Sequence, residues 1–253
     1  MLAAILVSFI SLGGVPEVPV AAWEFETPEE VQAWRPNSHM TNVTAENGIL
    51  SCETIDWDPF FTYSEAQLET SPRQFVVLRV KASRAGEGQL FWTADMEGRY
   101  AGFNPSKVTN FTVDQADVWQ EVVILPFWHT EGIIRQLRLD LYQDAQFEID
   151  WLRVYEWGRG AAPITGTYRW AFDDGGEAWR IWPGSGVLVS PPLELSVTET
   201  GWVSLALKAD ADTTASLFWA NSEDAGQHFM PFQVTRSDEF RVYDIELRGE
   251  TSW

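Results

Sequence analysis

Between residues 75 and 154 the chain reads as short β-branched and aromatic runs in which apolar and polar positions alternate with a period of two. The runs Phe75–Val80, Leu90–Trp92, Phe111–Val113, Trp119–Leu125, Leu137–Leu139 and Phe147–Val154 predict strands. In the longest of them Val76, Leu78, Val80 and Ala82 share one side and predict the core, while Arg79 and Lys81 share the other. Turn formers interrupt the runs at Asn47-Gly48, Gly86-Glu87-Gly88, Asn104-Pro105-Ser106 and Gly184-Ser185-Gly186. No stretch of helical length keeps a 3.6-residue apolar period, and Pro28–Trp34 offers at most one short turn. Many short strands with frequent turn signals predict an all-β, antiparallel sandwich.

The alternation also repeats. Leu78-Arg79-Val80-Lys81-Ala82 and Leu90-Phe91-Trp92 recur 127 positions later as Leu205-Ala206-Leu207-Lys208-Ala209 and Leu217-Phe218-Trp219. Trp23-Glu24-Phe25 matches Trp170-Ala171-Phe172, Trp34 matches Trp179, and Phe111-Thr112-Val113 matches Phe232-Gln233-Val234 at an offset of 121. Val123-Ile124-Leu125 aligns with Ile245-Glu246-Leu247 at 122. Ordered recurrence over this span predicts a duplicated module rather than a chance tripeptide. The expected organisation is a leader over 1–22, a first β-sandwich module over 23–157, a linker over 158–167 and a second module over 168–253. The second copy lacks counterparts of the first copy's last strands and is expected to be C-terminally incomplete.

Composition narrows the function classes. Seventeen Lys and Arg against 37 Asp and Glu give a formal charge of −20, which excludes a nucleic-acid partner because that contact needs clustered cations. A single cysteine, Cys52, forms no internal disulfide and reads as a small apolar strand residue. Met1–Leu12 is apolar but too short to span a bilayer, and small residues at Val20-Ala21-Ala22 offer a cleavage point. The expectation is a monomeric protein, secreted, periplasmic or on a bacterial cell surface, that meets a membrane only through its leader.

Catalytic patterns are sparse. The three histidines, His39, His129 and His228, have no zinc-binding spacing, and no nucleophile elbow or phosphate loop occurs. Glu148-Ile149-Asp150 resembles part of the E-x-D-x-x-E signature of laminarinase-type glycoside hydrolases, but Arg153 stands where the last glutamate belongs. No catalytic residue is assigned. Fourteen tryptophans are the positive signal, since an exposed indole stacks on the C–H face of a pyranose while polar neighbours bind its hydroxyls. Trp23 and Trp34 read as core, and Trp151 as core or rim. Trp57, in the polar turn Asp56-Trp57-Asp58-Pro59, and Trp128, after Pro126-Phe127, are the leading exposed candidates, while Trp92 and Trp219, beside acidic loops, read equally as core or as ligand face. Arg79, Arg138 and Asp140 are the candidate hydrogen-bonding partners of a sugar. Asp56 and Asp58, with Asp140 and Asp144, are candidate oxygen ligands for a structural Ca²⁺.

These phrases together carry a resemblance. W-x-F at 23–25, the alternating strand 78–82, L-F-W at 90–92, L-R-L-D at 137–140 and I-D-W-L at 149–152 are similar to galactose-binding-like β jelly-roll modules, over Trp23–Tyr155 fully and Tyr168–Trp253 in part. Leu141 departs from the pattern, because such modules often place proline there. The resemblance implies two antiparallel sheets, often a structural Ca²⁺, and non-catalytic polysaccharide binding on a concave face or loop rim beside a glycan-degrading enzyme. The alternatives are an adhesive or spacing β-sandwich protein with no small ligand and, more weakly, a glycoside hydrolase on a β-sandwich.

Overall fold

The computed structural model describes residues 18–156, 164–165, 180–181, 186–190, 193–194, 201–219, 228–248 and 250. Residues 1–17 of the segment expected as a leader over 1–22, most of the expected linker, and Trp170, Trp179 and Trp253 lie outside the described residues, whereas Ala21 and Ala22 of that segment pair with Val154 and Arg153 as part of the first sheet. The chain divides into two compact units, of which the first spans Glu17–Glu156.

The first unit runs β1 (Ala21–Trp23), α1 (Pro28–Ala33), β2 (Trp34–Pro36), β3 (Met40–Glu46), β4 (Ile49–Thr54), β5 (Phe60–Tyr63), β6 (Leu68–Glu69) and β7 (Gln74–Ala82). It continues with β8 (Gly86–Thr93), a 3₁₀ turn at Arg99–Gly102, β9 (Val108–Val113), β10 (Gln120–Ile124), β11 (Ile133–Ile134), β12 (Gln136–Asp140) and β13 (Gln146–Glu156). A six-stranded sheet is ordered β10-β7-β13-β4-β3, with β1 also paired to β13, and a five-stranded sheet is ordered β2-β5-β12-β8-β9. Every ladder in this unit is antiparallel. The short helix starts where it does for a local reason: Thr27 caps it by accepting from the Glu30 amide at 3.3 Å, and Pro28 opens it.

The core lies between the two sheets. Val76, Leu78, Val80 and Ala82 of β7 are at most 1% exposed and join Leu90, Leu137 and Leu139 of the facing sheet in one cluster. The alternating pattern therefore assigned the inward face of β7 from sequence. β13 carries a bulge, because Ile149 pairs with Val80 and Trp151 with Arg79, leaving Asp150 as an extra residue. The bulge shifts the parity by one, so that Phe147 and Ile149 before it and Leu152 and Val154 after it all enter the core.

One of two turn expectations holds and the other changes. Asn47 and Gly48, both at positive φ, form the two-residue turn of the β3–β4 hairpin, as such a pair should. Gly86-Glu87-Gly88, expected as a turn, instead opens strand β8. A Cβ on Gly86 would sit 2.7 Å from the Tyr142 ring, and one on Gly88 would sit 2.7 Å from the Asp140 carbonyl oxygen. These glycines answer close approach within the sheet, not chain reversal.

In the second unit, β14 (Ile164–Thr165) pairs with β17 (Leu193–Glu194), and β15 (Arg180–Ile181) with β16 (Leu188–Val189). β18 (Trp202–Ala209) pairs with β21 (Ser237–Glu246), and β19 (Thr213–Trp219) with β20 (His228–Val234). The registers reproduce those of the first unit. Leu90 faces Thr109 and Leu217 faces Met230, while Val76 faces Ile124 and Val203 faces Ile245. Both ladders thus keep offsets of 127 and 121, which corrects the alignment of Val123–Leu125 with Ile245–Leu247 by one residue. An apolar run tolerates a one-position slide in sequence; cross-strand partners and inward parity do not. Ile124 and Ile245 are both buried, as the corrected register requires.

Candidate functional site

The outer face of the five-stranded sheet gathers polar and aromatic groups around Arg138. On β12, Leu137 and Leu139 turn into the core, so Arg138 and Asp140 turn outward. Cross-strand pairing sets Arg138 between Thr62 and Phe91, and Asp140 between Phe60 and Gln89. The guanidinium carbon lies 3.7 Å from the centre of the Phe60 ring and 5.2 Å from that of Phe91, a cation–π arrangement. Arg138 donates to both Asp140 oxygens at 2.7 Å and to Asp58 Oδ1 at 2.9 Å. This bidentate fork fixes the Asp140 carboxylate in one orientation. Burial pushes the Asp140 carboxyl up to about 6; the Arg138 hydrogen bonds and charge pull against that, and the neighbouring Asp58 charge adds to it.

Beside this centre, Trp57, Asp58, Glu87, Gly88, Gln89, Asn110, Asp140 and Leu141 line a shallow groove of about 190 Å³. Its polar wall is the cross-strand pair Gln89 and Asn110, in which the Gln89 amide donates to Asn110 Oδ1 at 2.8 Å. Its floor passes close to Gly88, where any side chain would collide with the Asp140 carbonyl. Its rim is Trp57, 74% exposed.

The loop that carries Trp57 is held from several sides. Asn37 Nδ2 donates to the Asp58 carbonyl at 2.6 Å, and Asn37 Oδ1 accepts from the amides of His39 and Phe60. His39 Nδ1 accepts from the Asp58 amide at 3.3 Å, and the Trp57 amide donates to Asp56 Oδ1 at 2.8 Å. The His39 ring lies 5.6 Å from the indole. An exposed indole on an anchored loop is preorganised, so a ligand that stacks there meets little ordering cost.

The other candidates lie elsewhere. Trp128 is 1% exposed and donates its indole N–H to Gln74 Oε1 at 2.7 Å; Trp92, 4% exposed, meets it edge-on at 6.0 Å. Both indoles are core groups, which corrects their assignment as stacking surfaces. The apolar alternation of β8 explains it: Leu90 and Trp92 point inward, and Phe91 points out. Arg79 lies on the six-stranded sheet, paired with Asp150 at 2.7 Å and Glu121 at 3.4 Å, away from the groove. Trp219 is in the second unit, half-buried and stacked on His228 at 6.2 Å. Asp58 and Asp140 give their oxygens to a guanidinium, Asp56 approaches His39 at 4.0 Å, and Asp144 is a turn residue at positive φ. Among the described residues no group of three or more His, Cys, Asp or Glu is placed to hold a metal ion.

The hydrolase-like Glu148 and Asp150 are also engaged. Lys81 meets Glu148 at 2.6 Å, Arg79 meets Asp150, and Arg153 makes a two-point contact with Glu24 that holds its own proton more firmly than usual. Phe60, Phe91, Gln89, Asn110 and the anchors Asn37 and His39 were not anticipated. For Phe91 the signal was present, since strand alternation inside Leu-Phe-Trp sends its middle residue outward.

No protein-family model matches the chain, and no curated protein matches it in sequence. Solved structures of similar shape include a carbohydrate-binding module of Cellvibrio mixtus lichenase 5A in complex with cellotriose. It is 13% identical, with 55% of this chain and 98% of that one covered at a TM-score of 0.34. A module from Clostridium stercorarium in complex with cellobiose is 14% identical over 49% of this chain and 95% of that one, at 0.33. The C-terminal module of the laminarinase LamC from Zobellia galactanivorans is 11% identical over 54% and 98%, at 0.31. These are likenesses of coarse shape, at identities where residue roles do not transfer. The class defined by the chain's own geometry is an all-β protein whose first unit is a two-sheet antiparallel sandwich with a polar, aromatic-rimmed groove on one sheet.

Proposed function

We propose that residues 18–156 form a non-catalytic carbohydrate-binding module, and that the second unit is a diverged copy of it, in an exported bacterial protein acting on or beside polysaccharide. One observation carries the reading: Trp57 presents an exposed indole at the edge of a groove lined mainly by carboxylates and amides, with Gly88 and Leu141. That is the pairing a sugar ring needs, an apolar plate for its C–H face and polar groups for its hydroxyls. The groove's volume suits one ring at a time, so affinity for a polymer would be modest unless a second unit engages the same chain. Glu148 and Asp150, each matched by a cation of the neighbouring strand β7 on the sheet away from the groove, support binding over hydrolysis.

Affinity electrophoresis against a panel of polysaccharides tests it. Retardation by at least one glycan, abolished in Trp57→Ala, is expected; mobility unchanged by every glycan, or retardation indifferent to that substitution, would overturn the proposal. The adhesive-spacer reading draws on a different observation, that Trp23, Trp34, Trp92, Trp128 and Trp151 are all buried and serve packing. It predicts that no glycan retards the protein.

A further inference from the structure

Resting on the carbohydrate-binding reading above, we infer that the groove selects glycans by charge and favours a sugar that carries a protonated amine, such as a glucosamine oligomer, over neutral and acidic sugars. The carboxylates of Asp58, Asp140 and Glu87 line it together with the neutral amides of Gln89 and Asn110, and its lining among the described residues contains no Lys, Arg or His. Arg138, the cation behind this wall, is already forked onto Asp140, bonded to Asp58 and pressed against Phe60. Three carboxylates against one committed guanidinium leave the groove net negative. Asp58 and Glu87 sit at its open side, where Asp58 keeps a third of its side chain exposed and Glu87 is exposed on β8.

The indole adds a second contribution of the same sign. A ring face that attracts an ammonium, next to carboxylates, is a cation-accepting arrangement, because the ring quadrupole and the carboxylate charge act on the ligand together. The same wall repels uronate and sulfate groups, and the chain's formal charge of −20 extends that repulsion beyond the groove. A neutral pyranose keeps the stacking and the amide contacts but gains nothing from the charge.

Calorimetric titration of the full chain with short oligomers of glucosamine, N-acetylglucosamine, glucose and a uronic acid, at low and moderate salt, tests the inference. The amino oligomer should bind roughly 5-fold or more tightly than its acetylated counterpart, with the preference shrinking as salt rises. Glu87→Gln should weaken the amino oligomer by roughly 2- to 5-fold and weaken the neutral ones by clearly less. Glu46→Gln, an exposed carboxylate on β3 of the other sheet, should change neither, which separates groove selectivity from general attraction to an acidic protein. Equal affinity for amino and neutral oligomers, or equal effects of Glu87→Gln and Glu46→Gln, overturns the charge selection and leaves the carbohydrate-binding reading standing. Absence of binding by every oligomer, with no retardation by any polysaccharide, overturns both.

Discussion

Replacing Arg138 by methionine should expose the cost of the carboxylate it holds. Asp140 is 7% exposed, and in the native protein its charge is met by the two hydrogen bonds from Arg138. Methionine preserves most of the stem against Phe60 and Phe91 but leaves Asp140 and Asp58 without their cation. Removing one partner of a largely buried pair costs about 3 kcal/mol at neutral pH, most of it the penalty of the stranded charge. The penalty depends on pH in a definite direction. Burial already raises Asp140 to about 6, above an unfolded carboxyl near 3.8, so the native state takes up a proton that the unfolded state releases. Stability from this group therefore rises as pH falls from 7 toward 4, by an amount on the order of 3 kcal/mol for a shift of that size. Without Arg138 the shift grows, so Arg138→Met should be strongly destabilised at pH 7 and lose much of that deficit near pH 5. In Arg138→Met/Asp140→Asn the charge is gone, and the double variant should return to within about 1 kcal/mol of the parent at pH 7. Urea unfolding followed by tryptophan fluorescence at both pH values reads all three. A deficit that is the same at both pH values, or a double variant no more stable than the single one, would refute the coupling.

Other substitutions probe the scaffold around the groove. Gly88→Ala should destabilise by about 1–3 kcal/mol, because its methyl would press on Phe111 and the Asp140 carbonyl; a thermal melt unchanged from the parent would contradict the close approach. Trp128→Phe should cost about 1–3 kcal/mol in urea unfolding, since it removes the indole N–H from the buried Gln74 oxygen, whereas Trp57→Ala should alter stability by less than about 0.5 kcal/mol. Cys52 is buried, with its thiol pushed up to about 12 by desolvation, so Ellman's reagent should label it only after denaturant is added. Rapid labelling of the native protein would place Cys52 outside the core.

Much of the fold was legible in the chain. Period-two alternation identified β7, β8, β12 and β13 and the inward face of β7, because a residue's side of a strand is a local property that sequence carries directly. The recurrence of phrases was legible as well, and cross-strand pairing slides one of its alignments by one residue. Candidate chemistry fared unevenly. Trp57 stood out by its polar neighbours, yet Trp128 looked equally available and Trp92 read as either core or ligand face, and only the packing of one against the other and the Gln74 hydrogen bond show them to be interior. Local polarity reports which residues surround an indole in sequence, and burial depends on what lies across the sandwich.

The sequence alone determined strands, their two faces, the surplus of negative charge and the ordered recurrence of phrases, since each follows from order and composition along one chain. Tertiary structure decided which outward residues meet. Asp58 and Arg138 are 80 positions apart, and Gln89 and Asn110 are 21 apart, yet each pair shares the groove or its wall. Antiparallel registers between β5, β12, β8 and β9 bring them together, and those registers are selected by the fit of the whole core rather than by any segment read by itself.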